Sequence, residues 1–509
     1  MSTQSLWLTE HESAYPSVES SREYDVIVVG GGITGVTSAY FLKMSGLRVC
    51  LLEKGKIAGG ETGHTSAHLT MVTDRRFNSL VSAFGDDAAT LTWKAGAAAI
   101  ELIEWIVNQQ KIDCDFQRIP AFLLGDFLGD TKDEFYIERD AVYTRDQGFD
   151  TYFVPRAPLF GRPAVGIPNQ ARFHPVKFVT GLAEKIPGNG SDVFENSEVS
   201  EISGEQPTVI ANGISLKANK VVIATHVPLS GKANPAVAAA FQTRLTPYST
   251  YVIAAPISEA QIPDALFWDT RDPYRYLRIE TSSGTTRAIL GGADHKTGQK
   301  SHPVSCFDEL TDILHHIIPG AMPDYNWSGQ VIETNDGLPY IGEIAENQFI
   351  ATGYAGNGLT FGVVAATMAN DFALGRKSPW GDLFGVSRSK VLGGTWRYLT
   401  ENLDYPFYFI KDLLTPVDRE DPRALAAGTG KVLKIDGETV ACARDDDGTL
   451  HQCSAKCTHM GCLVRWNDAE KTWDCPCHGS RFSMEGDVIS GPAEKPLEAF
   501  HPKSEKITH

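Results

Sequence analysis

The pattern of apolar and polar residues near the N terminus switches between strand and helix periodicity. Residues 24–29 (YDVIVV) form a short, β-branched apolar run, and residues 33–46 (ITGVTSAYFLKMSG) follow a glycine triplet with helical spacing. The segment 48–55 (RVCLLEKG) returns to a strand pattern. This order predicts a β–α–β unit at the start of the first domain.

The residue composition and hydrophobic pattern change several times along the rest of the chain. Residues 1–23 are polar and are predicted to form a tail, while residues 386–425 carry scattered charge and prolines typical of a connector. From about Ala426 onward, short strands separated by Asp-Gly turns predict a small all-β domain. Between these segments the pattern predicts a long amphipathic helix at 86–110, a buried parallel strand at 220–225, antiparallel strands over 247–295, and a strand, turn and helix over 349–374.

Length and charge narrow the possible functions. A chain of 509 residues predicts two to four domains, and 46 basic against 63 acidic side chains give a formal charge of −17. That balance disfavours nucleic acid and anionic membrane surfaces as partners, because both need a basic footprint. The N-terminal segment lacks the features of a secretory signal, and no apolar run approaches the roughly 18 residues of a membrane helix. We therefore expect a cytoplasmic protein without a transmembrane segment.

A glycine-rich turn follows the first predicted strand. Gly30, Gly32 and Gly35 have the G-x-G-x-x-G spacing, and Glu53 ends the next strand. These glycines allow a tight turn and let backbone N–H groups approach a pyrophosphate, and the Glu53 carboxylate can accept from ribose hydroxyls. The pattern predicts a dinucleotide site, whereas the alternative is a structural turn.

Two further segments favour FAD over NAD. The small, hydroxyl-rich stretch 55–70 could pass a pyrophosphate and lie beneath a flavin ring. A second glycine-rich element follows at 336–342 and 351–360, where glycines before a helix again offer N–H groups. An ordinary helix-capping turn is the alternative interpretation. The candidate residues in this element are Gly353, Gly356, Gly358, Leu359 and Thr360.

Residues 24–380 resemble the FAD-dependent D-amino-acid oxidase and glycine oxidase family. The resemblance rests on the glycine turn with Glu53 and on the segments 171–185, 220–226 and 351–362. It implies a Rossmann-type α/β FAD domain with an inserted antiparallel α+β substrate domain, expected at roughly 75–165 and 240–325 of a unit spanning 24–385. It also implies oxidation of a C–N bond by hydride transfer to FAD. Further candidate cofactor contacts are Lys54, Thr65, Ser66 and Val199.

Candidate substrate residues lie in the presumed insert. Tyr274, Tyr276 and Arg278 share one face of a strand, where two phenols and a guanidinium would suit a carboxylate. A solvated strand face is the alternative. Asp294, His295 and Lys296 follow a predicted strand and could lie near the flavin, or could simply end a polar hairpin. His295 is the catalytic candidate among them.

Covalent attachment of the flavin remains open. The resemblance directs attention to His64 and His68, since some relatives hold flavin covalently through a nearby histidine. The surrounding residues here do not match that pattern well.

Six of the nine cysteines lie between residues 442 and 477, which indicates local chemistry there. Clustered cysteines in a reducing compartment are interpreted first as metal ligands. Two mixed pairs are notable, Cys457 with His459 and Cys475 with His478. Zinc fingers instead pair cysteine with cysteine and histidine with histidine, whereas a Rieske 2Fe–2S cluster needs two thiolates and two imidazoles.

Residues 426–502 resemble Rieske domains, and the predicted domain extends over 426–509. The resemblance implies Cys457 and Cys475 on one iron and His459 and His478 on the other. Two cysteines remain, one in each loop, and match the loop-bridging disulfide of the Rieske proteins in respiratory cytochrome bc complexes. A disulfide is unusual in the cytoplasm, which conflicts with this expectation. The two cysteines are Cys462 and Cys477.

The surroundings of the cluster ligands depart from the respiratory type. Residues 490–493 resemble the proline loop that covers the cluster. Ser480 fits the position at which those proteins place a serine hydroxyl near the cluster sulfurs. Phe482 stands where they place a tyrosine. Hydrogen bonds to cluster sulfur raise the potential, so we expect a value in the middle of the roughly −150 to +300 mV Rieske range. Cys442 and Cys453 are expected to be buried, inert thiols.

These features support an enzyme. We expect a dehydrogenase that takes a hydride from an amine or amino-acid-like substrate and passes electrons through the cluster to an external acceptor. The alternative is an electron-transfer protein or reductase component without its own organic substrate. A Rieske oxygenase would need a mononuclear iron site, and the nearest candidate, residues 312–316, places adjacent histidines that point apart on a helix.

Overall fold

The computed structural model describes residues 4–9, 14–129, 134–227, 244–258, 261–282, 284–388, 417–418 and 420–501. Most of the predicted connector at 386–425 lies outside these residues. The α-helices are α1 Ile33–Met44, α2 Phe77–Phe84, α3 Asp86–Gln110, α4 Glu134–Asp146, α5 Pro175–Ala183, α6 Ser305–Ile317, α7 Gly358–Ala373 and α8 Gly381–Phe384. Short 3-10 helices span Leu6–Leu8, Glu61–His64 and Pro422–Ala424.

The strands fall into two large and two small sheets. In the first 388 residues they are β1 Glu23–Val29, β2 Val49–Leu52, β3 His68–Leu69, β4 Gln117–Leu124, β5 Tyr152–Val154, β6 Ala164–Arg172, β7 Asp192–Phe194, β8 Val199–Ser203, β9 Thr208–Ala211, β10 Ile214–Ile223, β11 Leu245–Pro256, β12 Leu266–Asp269, β13 Tyr276–Ser282, β14 Thr285–Lys296, β15 Tyr325–Thr334, β16 Tyr340–Ala345 and β17 Gln348–Thr352. Beyond them lie β18 Thr429–Ile435, β19 Glu438–Arg444, β20 Leu450–Ser454, β21 Arg465–Asn467, β22 Thr472–Asp474, β23 Arg481–Phe482 and β24 Val488–Ser490.

The first sheet is built around parallel strands. Its order is β16–β17–β10–β1–β2–β7, and the strands from β17 to β7 run parallel. Strand β16 pairs antiparallel with β17, and β9 and β8 extend antiparallel from the first half of β10. All four residues of β2 are buried, as expected of a parallel strand that is covered on both faces.

The predicted β–α–β unit is confirmed by β1, α1 and β2, although β2 ends at Leu52 and not at residue 55. The long helix α3 covers the predicted residues 86–110. Helix α1 is buried on most sides because it packs against both α7 and the sheet. The carboxyl ends of β1, β2 and β10 therefore meet the N terminus of α1, which is where open α/β sheets bind ligands.

The second sheet is largely antiparallel. Its order is β15–β11–β14–β13–β12–β4–β6–β3, with β5 beside β6, and β12 and β4 form its parallel pair. The strands come from two separate stretches of chain, 68–172 and 245–334. Helix α6 packs on β11 and β14 and covers one face of this sheet.

The N-terminal segment, which the sequence predicts as a tail, packs onto the molecule at its described residues. Trp7 is 1% exposed, and its indole N–H donates to Thr65 O at 2.6 Å. Its ring lies edge-on to the His174 ring with centroids 5.0 Å apart. This contact ties the start of the chain to the segment that precedes β3.

The C-terminal module consists of two small antiparallel sheets, β18–β19–β20 and β21–β22–β23–β24. Its core contains the fully buried rings of Trp473 and Phe482. The predicted all-β domain is thus confirmed. Within the described ranges, every helix is too short or too polar to cross a lipid bilayer.

Candidate functional site

The turn between β1 and α1 needs glycine at two positions. Gly30 has a φ of +111°, and a Cβ there would lie 2.3 Å from Ala224 O. A Cβ on Gly35 would lie 1.8 Å from Gly30 O. Gly32 caps α1 without a side-chain hydrogen bond, so the helix N terminus offers N–H groups to a bound anion.

Glu53 fixes the shape of this turn. Its Oε2 accepts from Gly31 N at 2.6 Å and its Oε1 accepts from Gly55 N at 2.8 Å. Each carboxylate oxygen keeps a further lone pair. Glu53 therefore holds the turn closed and still has acceptors to offer a ribose hydroxyl.

A cavity of about 920 Å³ runs from this turn towards the second sheet. The predicted cofactor residues that line it are Gly30, Gly32, Glu53, Lys54, Thr65, Ser66, Val199, Gly356, Gly358 and Leu359. Gly35, Gly353 and Thr360 stand behind the wall: Gly35 packs on Gly30, Gly353 packs on Thr334, and the Thr360 hydroxyl donates to Asn357 O. The structure thus brings most of the predicted residues to one cavity, including the second glycine-rich element.

Tyr276 lies where the cavity meets the second sheet. Its hydroxyl is 3.1 Å from Thr250 Oγ1, and both residues line the cavity. The Tyr274 hydroxyl lies beside Gly356, where a Cβ would come within 2.9 Å of it. Burial raises the pKa of both phenols well above the ordinary value, so both are neutral hydrogen-bonding groups.

Asp294, which is next to the predicted His295, belongs to this group. Burial raises its pKa to about 7, and a hydrogen bond from Thr250 opposes the shift. Among the described residues, its buried Oδ1 has no hydrogen-bond partner. The sequence interpretation placed the segment 294–296 near the flavin, with His295 as its catalytic candidate, and missed Thr250. Thr250 lines the cavity and Asp294 lies behind it. Alternation along β14 gives the signal that separates Asp294 from His295, since neighbouring side chains point to opposite faces.

His295 faces the other side of the sheet. Its Nε2 is 3.0 Å from the Tyr251 hydroxyl, and its Nδ1 is 2.9 Å from Lys296 O. The two rings stack with centroids 5.5 Å apart, and burial lowers the pKa of the imidazole. His295 does not line the cavity.

Arg278 is fully buried beneath Tyr276 and is not part of the cavity wall. Its Nη2 donates to Glu280 Oε2 at 2.5 Å, and its guanidinium lies 5.3 Å from the Trp7 ring centroid. Burial lowers the pKa of Arg278 and raises that of Glu280. The expected carboxylate-binding face therefore divides: Tyr276 lines the cavity and Tyr274 lies beside Gly356 in its wall, whereas the guanidinium has an internal partner.

The two histidines considered for covalent attachment are also separated. His64 lines the cavity, with Nδ1 2.9 Å from Gly60 O. His68 is buried behind it, with its ring edge-on to Tyr276, and burial lowers its pKa to about 3.

In the C-terminal module, two loops bring the predicted cluster ligands together. Residues 457–462 form cluster loop 1 and residues 475–480 form cluster loop 2. The His459 and His478 rings lie edge to face with centroids 4.9 Å apart, and a hydrogen bond joins the thiols of Cys457 and Cys475. Burial lowers the pKa of both imidazoles, to about 4 for His478, which favours the neutral form that binds iron.

The other four cysteines of the C-terminal module form one disulfide and two buried thiols, as expected. Cys462 and Cys477 join the two loops as a disulfide with their sulfur atoms 2.13 Å apart. Cys442 and Cys453 are buried on neighbouring strands, and burial raises the pKa of both thiols, to about 12 for Cys453.

The hydroxyl of Ser480 lies against the ligand sulfur. It hydrogen-bonds the Cys457 thiol and accepts from Ala493 N at 3.1 Å. Residues 490–493 thus close over cluster loop 2, and a Cβ on Gly491 would lie 2.4 Å from Ser480 Cα. Phe482 is fully buried and supplies no hydroxyl.

The cluster module packs directly on the flavin module through cluster loop 2. Gln299 Nε2 donates to Pro476 O at 3.2 Å, and Lys54 Nζ donates to Ile489 O at 2.7 Å. A Cβ on Gly298 would lie 2.8 Å from the Cys475 carbonyl carbon. The cavity is accordingly lined also by residues of the cluster module, namely Glu470, Thr472, Arg481 and 488–494.

Comparison with known proteins identifies both modules. Residues 25–371 match the family model described as FAD dependent oxidoreductase. The chain belongs to this FAD dependent oxidoreductase family. Residues 417–501 match the Rieske [2Fe-2S] domain. FAD and a 2Fe–2S cluster are therefore the cofactors of this flavin- and cluster-containing oxidoreductase.

Similar proteins include chains with and without the second module. The Bacillus subtilis protein YhfW, whose name describes a Rieske 2Fe-2S iron-sulfur protein, is 31% identical with 97% of each chain covered. Gamma-glutamylputrescine oxidoreductase of Escherichia coli K12 is 24% identical over 80% of this chain and all of its own length. The structure of glycine oxidase from Geobacillus kaustophilus has a TM-score of 0.60 and 20% identity, covering 72% of this chain and all of that one.

The residues of this oxidoreductase fit both cofactors. Close backbone packing at Gly30 and the N terminus of α1, where Ile33 N donates to Thr62 Oγ1, suit a pyrophosphate, and Glu53 suits the ribose. Two thiols and two neutral imidazoles on facing loops suit a Rieske cluster.

Replacing the turn-closing carboxylate should weaken FAD binding. Glu53→Gln removes the charge that orders the turn, and hydrogen bonds to charged groups contribute about 1.5–3 kcal/mol, so we expect at least about tenfold weaker binding. Titration of the FAD-free protein by flavin fluorescence measures the change. The exposed Glu205→Gln is the matched control, and an unchanged dissociation constant in Glu53→Gln would contradict the assignment.

Removing the hydroxyl beside the ligand sulfur should lower the cluster potential. Ser480→Ala deletes one hydrogen bond, and about 1 kcal/mol of differential stabilisation corresponds to roughly 45 mV for a one-electron couple. Redox titration followed by the visible spectrum measures the shift. Ser483→Ala, whose hydroxyl accepts from Asp487 N and is not bonded to a ligand sulfur, serves as control. A midpoint in Ser480→Ala equal to that of the wild type would exclude this influence.

Proposed function

We propose that this protein is a dehydrogenase for an amine or amino-acid-like substrate, with electrons leaving through the Rieske cluster to an external acceptor. The observation that carries the proposal is the shared cavity, which the glycine turn and the cluster module line together. When bound, FAD would accept a hydride from the carbon next to nitrogen, and the Rieske cluster would carry the electrons away singly. The balance is an amine converted to an imine with loss of two electrons and two protons.

The residues around Tyr276 support recognition of the substrate nitrogen. Asp294 does not line the cavity itself, but its carboxylate lies behind Thr250, which hydrogen-bonds it and does line the cavity. The neutral phenols of Tyr274 and Tyr276 lie close by. An ammonium group in the cavity beside Thr250 would be attracted by the Asp294 carboxylate, since a buried charge favours an opposite charge nearby. Arg278 already has Glu280 as its partner, so we favour binding of the substrate through its amine over binding of a carboxylate by Arg278.

The two cluster loops suggest separate entry and exit sides for electrons. Cluster loop 2 is packed on the flavin module, whereas Thr458, Met460 and Gly461 in cluster loop 1 are exposed. His459 in that loop is only partly covered. We therefore propose that the external acceptor approaches cluster loop 1.

Anaerobic mixing tests the electron route. A panel of aliphatic amines and amino acids should contain a compound that bleaches the flavin band, followed by loss of the cluster absorbance. His478→Ala, which lacks a cluster ligand, should still show flavin bleaching without the second phase. Bleaching of the wild-type flavin while its cluster stays oxidised would contradict the route, and no bleaching by any amine would favour the electron-transfer alternative.

Asp294 should control substrate affinity and its pH dependence. The carboxylate is ionised above its pKa of about 7, so kcat/KM for a protonated amine should fall as the pH drops through that value. Asp294→Asn removes the negative charge behind Thr250 and should raise KM by about tenfold, the order expected for the loss of one nearby opposite charge. The substitution should also abolish the inflection. Asp308→Asn, an exposed carboxylate on α6, is the control. An inflection that persists in Asp294→Asn would assign it to another group.

A further inference from the structure

The side chain of Gln330 on β15 lies at the centre of the contact between the two modules. It is 2% exposed and lines the shared cavity. Its Nε2 donates to Gly479 O at 3.0 Å, and its Oε1 accepts from Ser490 Oγ at 3.2 Å. Gly479 directly follows the cluster ligand His478, and Ser490 begins the loop that covers Ser480. One amide therefore holds both segments that surround the cluster on this side.

The backbone of Gln330 connects to the other cofactor. Its N–H donates to Glu61 Oε2 at 2.6 Å, and Glu61 belongs to the 3-10 helix that lines the FAD cavity. The second Nε2 hydrogen reaches Thr297 Oγ1 at 3.3 Å. All hydrogen-bonding groups of the side chain are thus used in a buried setting, where a satisfied polar network specifies a single arrangement.

We propose that Gln330 is a positioning residue that sets the geometry for electron transfer from FAD to the Rieske cluster. This role deepens the function proposed above and depends on the same electron route. The reduced flavin gives up two electrons in two steps, each reducing the cluster by one electron. A one-electron external acceptor reoxidises the cluster after each step, and the two protons are released to solvent. Gln330 forms no bond in these steps and acts by fixing residues 475–480 beside the cavity.

Other contacts between the modules are less central. Gln299 also donates to cluster loop 2, through Pro476 O, but it does not line the cavity. Gln299 and Gln330 are therefore a matched pair of the same residue type at the same interface. A difference between their variants separates a specific positioning effect from a general loosening of the interface.

The test uses the full-length holoprotein and does not require the natural substrate. Gln330→Met keeps the length of the side chain and removes its hydrogen bonds. Laser-flash photoreduction with 5-deazariboflavin reduces the flavin, and the following phase reports transfer to the cluster. We expect this phase to slow by about tenfold or more, as small displacements of reacting groups carry penalties of that order. Gln299→Met should transfer at a rate close to that of the wild type.

Hydrogen–deuterium exchange supplies a readout that is independent of electron transfer. Amides of residues 475–480 and 490–493 should exchange faster in Gln330→Met than in the wild type, while the cluster absorbance stays intact. Ser490→Ala removes the hydrogen bond that the cluster module donates to Gln330 Oε1, and it should show a smaller effect in the same direction. It also keeps the test decisive if Gln330→Met does not fold.

The outcomes separate this role from the proposed function. If the wild-type cluster is never reduced by the flavin, the electron route fails, and the positioning role for that transfer fails with it. If wild-type transfer occurs but Gln330→Met matches it in rate and in amide exchange, the positioning role alone is wrong. Equal slowing in Gln330→Met and Gln299→Met would also overturn it.

Discussion

The packing of cluster loop 2 against the second sheet is the contact on which the rest of the arrangement depends. Gly479 fits against Pro247 so closely that a Cβ would lie 2.1 Å from the proline ring. Such close contact leaves no room for a side chain or water between Gly479 and Pro247. Because His478 belongs to the same loop, this packing holds a cluster ligand beside the FAD cavity. The hydrogen bonds of Lys54 and Gln299 add to an arrangement of the two modules that this close packing already fixes.

Sites whose residues lie close together along the chain were predictable from the sequence. The turn at Gly30 and Gly32 and the carboxylate at Glu53 occupy the predicted positions because one β–α–β unit contains them all. The facing pairs Cys457–His459 and Cys475–His478 were predictable for a related reason. Each pair lies within one loop, so spacing along the chain already reflects distance in space.

Features that depend on packing between distant segments were not predictable. The pattern placed Tyr276 and Arg278 on one face, which is correct, but it did not show that Glu280 and Trp7 enclose the guanidinium. It chose His295 as the catalytic candidate of the segment 294–296 because it contained no information on which of these side chains lies towards Thr250 and which towards Tyr251. The pairing of β11 with β14 places Ser249 opposite His295 and Tyr251 opposite Gly292, with an irregularity between them at Thr250. A polar N-terminal segment likewise gives no sign that Trp7 is buried.

The turn at Gly298 shows how one module constrains the sequence of the other. A φ of +76° alone would tolerate asparagine, but the Cys475 backbone lies where any Cβ would go. The three nearest atoms that such a Cβ would meet belong to Cys475 and Pro476, so it is the cluster module that excludes a side chain here. Glycine at residue 298 of the flavin module is thus required by the presence of the cluster module.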